Sequence, residues 1–252
     1  MSATTTLESY GPEGSDIMSK TYDVVVIAPH PDDAEMGMGG TMIKLVQAGY
    51  SVLSICLTQG EMGTYGNIEV RKKEFEDASA VIGCDCLMLD FPDTGIENDR
   101  ESRIRIARLI REYCPKLIFA PYYSNERALP RGLVHVDHYT TGALVRDAVK
   151  FARLKKTVPD MEPHNIAKLY FFMVPEDRHP NLVVDVSDVI EQIEQAVLCY
   201  NTQMAISFRE HGIKDVVDFM RKQAGMKIGV SFAEQFLTDQ YLVMTPDQFF
   251  SV

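Results

Sequence analysis

Residues 24–40 read VVVIAPHPDDAEMGMGG. A run of β-branched residues ends abruptly at Ala28 and Pro29, and His30, Asp32, Asp33 and Glu35 follow within a few positions. Gly39 and Gly40 then open a helical pattern, with 41–48 as its regular part and Gly49 suited to its C′ position. Strand, ionisable cluster, glycine and helix is the order expected at the carboxyl end of a parallel strand, where open α/β sheets place ligands. Titratable groups gathered at one strand end point to a metal and its base.

Outward from this stretch, strand and helix patterns alternate. Strands are expected at 22–28, 51–58, 87–89 and 116–120, and helices at 68–82 and 101–113, the first stopped by Gly83 and the second before Pro115. The strands lack polar alternation, so both faces are buried. The helix at 68–82 carries Arg71, Lys72, Lys73, Glu74, Glu76 and Asp77, which read as a mostly solvated face. FPDTG at 91–95 is turn chemistry with Asp93 exposed. HVDH at 135–138 starts an amphipathic helix running to about 154. Apolar strands at 169–174 and 182–186, a helix at 188–200 and a helical stretch at 216–224 follow. This β-α-β pattern implies α/β architecture: a single Rossmann-like domain with a mostly parallel sheet covered by helices on both faces. The domain is expected to span 21–252, after a mobile, aperiodic tail at 1–20.

The 252 residues are 46% hydrophobic, enough for one sizeable core. A net charge of −11 argues against nucleic acid and against an anionic membrane surface. No apolar run has the length of a membrane span and no signal-peptide core is present, so a cytoplasmic protein is expected. The five cysteines read as reduced packing residues; Cys84 and Cys86 have no second pair to complete a zinc site.

A hydrolytic zinc site needs three protein ligands and an open position. His30 and Asp33 lie three residues apart at one strand end, and His138 follows the fourth strand, whose loop opens on the same sheet edge. Asp32, beside a ligand yet free of the metal, is the natural general base. His135, one turn before His138, suits the oxyanion or the leaving amine, and Asp137 suits the orientation of an imidazole. The bland alternatives are a helix N-cap for the aspartates and surface polarity for the histidines; the conjunction of HxDD with HxDH outweighs them. A two-His-one-carboxylate iron uses the same elements, so Fe2+ or another divalent ion stands beside Zn2+. GMGG misses the dinucleotide spacing, because Met42 stands where the third glycine belongs.

HPDDAEMGMGG (30–40), the TQGE after the second strand and the later HVDH resemble the LmbE/PIG-L-type zinc-dependent de-N-acetylases. VRKKE (70–74), FPDTG, LIFAPYY (117–123) and IGVSFAEQF (228–236) extend the resemblance, which looks most like the N-acetylglucosaminyl-malate deacetylase branch of bacillithiol synthesis. It implies a hydrolase that frees acetate and an amine from an N-acetylated sugar conjugate. Zinc would be held by His30, Asp33 and His138, with Asp32 as base and His135 assisting the oxyanion. It further implies Arg71 for an anionic group of the substrate, Asp93 for a sugar hydroxyl, and a homo-oligomer, often a hexamer. Alternatives on the same centre are a hydratase, another acyl hydrolase or a non-catalytic metal-binding scaffold. The chain departs from that family's pattern at Val134 and Val136 around His135, in an extra stretch at 128–134, at Asn165 in place of an arginine, and at Ile213 in place of a tyrosine.

Overall fold

The computed structural model describes residues 20–124, 135–175, 178–208, 210–241 and 243. The expected tail at 1–20 falls almost wholly outside the described residues, as does the extra stretch at 128–134, including Val134. Four strands, β1 (Val24–Ala28), β2 (Val52–Thr58), β3 (Asp85–Phe91) and β4 (Leu117–Pro121), alternate with α1 (Asp33–Gln47), α2 (Ile68–Ile82) and α3 (Arg100–Tyr113). Then come α4 (Val136–Arg153) and β5 (Lys168–Phe172). These five strands form one parallel sheet in the order β3-β2-β1-β4-β5. Successive connections move outward on one side of β1 and then cross back to β4, so a topological switch point lies between β1 and β4.

The alternation of side chains along each strand separates two apolar layers. Val25, Ile27, Leu53 and Ile55 pack with Ile106 and Ile110 of α3 and Leu144 and Val145 of α4. Val24, Val26 and Ala28 face the other way, onto Met38, Met42 and Ile43 of α1 and onto Ile193 and Val197 of a later helix, α5 (Ile190–Leu198). Gly83 ends α2 in the left-handed conformation, as expected. The five cysteines are unpaired thiols. Among the described residues, no helix is long and apolar enough to cross a membrane.

Beyond β5 the chain leaves the parallel sheet. The expected strand at 182–186 forms as β6 (Leu182–Asp185) but does not join the parallel strands. It pairs antiparallel with β9 (Ala233–Phe236), which follows α6 (Asn201–Met204), the short hairpin β7 (Ser207–Phe208) and β8 (His211–Gly212), and α7 (Ile213–Ile228). A bridge from Phe171 to Leu237 ties this small sheet to the edge of the large one.

Helix α1 differs most from its expected form. It begins at Asp33, not near residue 41, and carries the glycines inside it, with a kink at Met38 (φ −152°, ψ 22°). Breaking a helix frees the carbonyls before the kink and the amides after it, and buried groups of this kind need partners. Arg221 Nη2 donates to the carbonyls of Glu35 and Met36, each at 2.9 Å. Glu234 accepts from Gly40 N at 3.0 Å, Thr41 N at 2.8 Å and Thr41 Oγ1 at 2.7 Å. The glycines serve close packing, not a tight turn. A Cβ on Gly37 would lie 2.5 Å from the Phe172 ring, and one on Gly40 would lie 2.7 Å from Val186 and Ile193.

Candidate metal centre

Four loops at the carboxyl edge of the sheet build the site. His30 stands two residues beyond β1, and Asp33 is the first residue of α1. His135 is the N-cap of α4, and its Nδ1 accepts from Asp137 N at 3.3 Å, which places Asp137 and His138 in the first helical turn. Asp33 lies between the two imidazoles: Oδ2 is 3.0 Å from His30 Nδ1 and Oδ1 is 3.0 Å from His138 Nε2. One donor atom from each of His30, Asp33 and His138 falls within 4.8 Å of the others, so the structure brings these three residues together.

The second nitrogen of His30 faces carboxylates. Nε2 is 3.2 Å from Asp137 Oδ2 and 3.2 Å from Asp93 Oδ1. Asp137 is buried and also accepts from Thr94 N at 2.7 Å. Asp93 is not the exposed turn residue expected: its side chain is 7% exposed, held against His30 and against Met62 N at 3.0 Å. The TQGE stretch enters through Glu61, whose carboxylate accepts from Asp93 N at 2.7 Å.

The electrostatics describe a centre short of positive charge. Burial opposes a charged His30, yet the hydrogen bonds that its ring donates to the Asp137, Asp33 and Asp93 carboxylates push its pKa up to about 12. Burial raises the Asp33 carboxyl, but the His138 and His30 rings override that and hold it well below the usual carboxylate range. Asp32 is pushed up to about 8 by burial and by the Asp33 charge, against the pull of Arg71 and His30. Two imidazoles and a carboxylate in a buried, carboxylate-rich pocket are donors that suit a divalent cation, so the residues present fit the metal the motifs imply.

His135 is the accessible member, with 41% of its side chain exposed. Its ring stands edge-on to His30 at 4.9 Å between centroids. Burial and the neighbouring His30 charge lower its pKa, so the ring is neutral at neutral pH. Because Nδ1 accepts from Asp137 N, the proton of that neutral ring sits on Nε2.

One expectation about a supporting residue is corrected. Arg71 does not lie on a solvated helix face: it is 3% exposed and turned inward, donating to the Pro31 carbonyl with its Nη2 3.7 Å from Asp32 Oδ2. Asn165, which stands in place of an arginine, lines a surface hollow with Lys150, Arg153 and Leu154 at the far end of α4, where His164 N donates to Ala152 O. Ile213 is the first residue of α7.

Glu35, expected as a helix N-terminal or substrate-adjacent carboxylate, lies in the first turn of α1. It is fully buried, its carboxyl is pushed up to about 7 by burial, and it faces the equally buried Tyr200 hydroxyl without reaching hydrogen-bonding geometry. Glu74 and Thr202, which stand against Arg71, were missed. The signal for Glu74 was present: 71, 74, 75, 78 and 82 recur at helical spacing, and all five residues are buried.

A family model described as "PIG-L: GlcNAc-PI de-N-acetylase" matches residues 25–149. Diacetylchitobiose deacetylase of Thermococcus kodakarensis is 35% identical over 194 residues, covering 71% of this chain and 69% of that protein. A probable N-acetyl-alpha-D-glucosaminyl L-malate deacetylase 2 of Bacillus cereus is 31% identical, covering 71% of this chain and 83% of that protein. Among solved structures, a conserved protein of Thermus thermophilus superposes with a TM-score of 0.79 at 34% identity, covering 90% of this chain and 98% of the other. With the sheet order, the His-Asp motifs and relatives of this similarity in agreement, the chain belongs to the LmbE/PIG-L family, whose named members here are deacetylases.

Proposed function

We propose that this protein is a zinc-dependent hydrolase that removes the N-acetyl group from an N-acetylglucosamine conjugate, releasing acetate and a free amine. The observation that carries this reading is the meeting of His30, Asp33 and His138 within one ligand sphere, with Asp32 and His135 beside it. A divalent ion on those three donors supplies Lewis acidity to the acyl oxygen and acidifies water. Asp32 takes the proton of the attacking water and returns it to the departing amine. His135 donates from Nε2 to the oxygen that gains charge at the acyl carbon. Asp137 orients the His30 ring through Nε2, and Asp93, at the edge of the site, is the group placed for a sugar hydroxyl.

The substrate class follows from the relatives, whose names specify diacetylchitobiose and N-acetylglucosaminyl malate. An N-acetylglucosamine unit is common to both, and it is the part we assign to the site. Unpaired thiols accord with the reducing cytoplasm, where we place the protein, and a homo-oligomer is part of the same proposal.

The test is acetate release from a panel of N-acetylglucosamine glycosides by wild type and Asp32→Asn, with metal content measured in parallel. Asp32→Asn is expected to keep its zinc and lose turnover by about 10²–10⁴-fold, the usual span of general-base catalysis. Undiminished release by Asp32→Asn would remove Asp32 as base, and a wild type that frees no amine from any member of the panel would remove the amidase reading.

A further inference from the structure

Asp32 has a backbone that L-residues rarely adopt, with φ 126° and ψ −27°. Such a conformation is strained and persists only when its surroundings over-determine it. Two contacts hold the Pro31–Asp32 segment. Met36 N donates to the Asp32 carbonyl at 2.9 Å, an ordinary first-turn helix bond. The other is the guanidinium of Arg71, which donates to the Pro31 carbonyl from the same Nη2 that lies 3.7 Å from the Asp32 carboxylate.

That guanidinium is enclosed. Nη1 lies 3.4 Å from Thr202 Oγ1 and 4.0 Å from Glu74 Oε2. Glu74 is itself fixed, accepting from Thr202 N at 2.8 Å and from Thr202 Oγ1 at 2.7 Å. Gly60, at φ +66°, passes so close that a Cβ there would lie 3.0 Å from Arg71 Nε. The Tyr200 ring lies 6.0 Å from the guanidinium carbon. An arginine set out to capture a substrate anion leaves its donors open to the cleft; here Nη2 donates to a backbone carbonyl, Nη1 to the Thr202 hydroxyl beside the Glu74 charge, and Nε is buried under Gly60 without a hydrogen-bond partner.

We infer that Arg71 is a positioning residue for Asp32, not an anion subsite. It pins the Pro31–Asp32 peptide in its strained conformation and steadies the Asp32 carboxylate. Glu74 of α2 and Thr202 of α6 anchor it from the opposite side. The inference rests on Asp32 as the base and adds to it a three-residue support reaching from the C-terminal third of the chain.

The experiment uses the metal-loaded full-length protein with Arg71→Met, Glu74→Gln and Thr202→Val, assayed on neutral and anionic N-acetylglucosamine glycosides. A small displacement of a reacting group costs on the order of 10²-fold. Arg71→Met is therefore expected to lower kcat by about 10²-fold, equally on both substrates, with KM nearly unchanged. Glu74→Gln and Thr202→Val are expected to give smaller losses of the same kind, and they carry the test if Arg71→Met fails to fold. In an Asp32→Asn background, Arg71→Met is expected to cause no further loss. A crystal structure of Arg71→Met, or of Glu74→Gln, is expected to show Asp32 out of the positive-φ region. A KM rise confined to anionic glycosides, an additive loss on top of Asp32→Asn, or an Asp32 backbone unmoved in the variant would each overturn the inference. If Asp32→Asn alone keeps full turnover, the base assignment fails; if Asp32→Asn is inactive while Arg71→Met is not, only the support role fails.

Discussion

Arg221 Nε meets Glu234 Oε1 at 3.1 Å, with both side chains almost wholly buried, and the pair fills the gap in the kinked helix that carries Asp33. Each partner compensates the other's charge and also satisfies backbone groups of α1, a double duty that makes a buried ion pair costly to break. Glu234→Gln, which leaves the guanidinium unpaired, is expected to destabilise the protein by about 3–5 kcal/mol, read as a shift in the denaturant midpoint. A change within about 0.5 kcal/mol would show that the kink does not depend on the pair.

Asp137 touches His30 from outside the His30, Asp33 and His138 group of candidate donors. Removing its negative charge with Asp137→Asn is expected to weaken metal affinity by about 10–100-fold, measured by competition with a chelator. Unchanged affinity would mean that Asp93 alone orients the imidazole through its own 3.2 Å contact.

Gly142 of α4 packs against backbone, where nothing can move aside cheaply. A Cβ there would lie 2.2 Å from the Pro121 carbonyl oxygen and 2.8 Å from Tyr123 Cα. Gly142→Ala is expected to cost about 3 kcal/mol, at the upper end of overpacking penalties, and to disturb the setting of His135 and His138 at the start of that helix. Thermal denaturation combined with metal binding would show both effects; an unaltered protein would mean that α4 shifts freely against β4.

Asp23 provides a pH test remote from the site. The Lys116 ammonium and the Ser51 amide and hydroxyl lower its carboxyl from 3.8 to about 2. A carboxyl with a depressed folded pKa adds stability above its unfolded pKa and loses it as the pH falls through the folded value. Asp23→Asn is therefore expected to be less stable than wild type near neutrality and to converge with it between about pH 4 and pH 2. The gap should stay below about 1 kcal/mol, because Lys116 is largely exposed. A gap that persists at pH 2 would assign the effect to lost hydrogen-bond geometry.

Much of the architecture was legible in the chain. The β-branched run of β1 and the largely apolar run of β2 announced strands buried on both faces, and the 68–82 helix with its Gly83 stop is observed at those bounds. Helix α1 was misjudged because glycine disfavours helix by about 1 kcal/mol per residue, so 37–40 read as a boundary. The groups that overrule this preference, Arg221 and Glu234, lie nearly two hundred residues away, beyond the reach of any local signal. The charges of α2 were counted as one solvated set, although their spacing places Arg71 and Glu74 on the face that holds Phe75 and Ala78. The histidine and aspartate spacing showed which residues meet, but not that Asp93 is drawn in from its turn to His30.

The kink in α1 also orders events in time. Among the described residues, every candidate metal donor lies at or before His138, so the donor set is synthesised well ahead of α7 and β9. The residues that bridge the break in the helix bearing Asp33 are synthesised later, on α7 and β9. An emerging polypeptide would thus display its histidines and aspartates before they are locked in place. A cation that requires the finished geometry would have to wait until α7 and β9 have emerged and packed against α1.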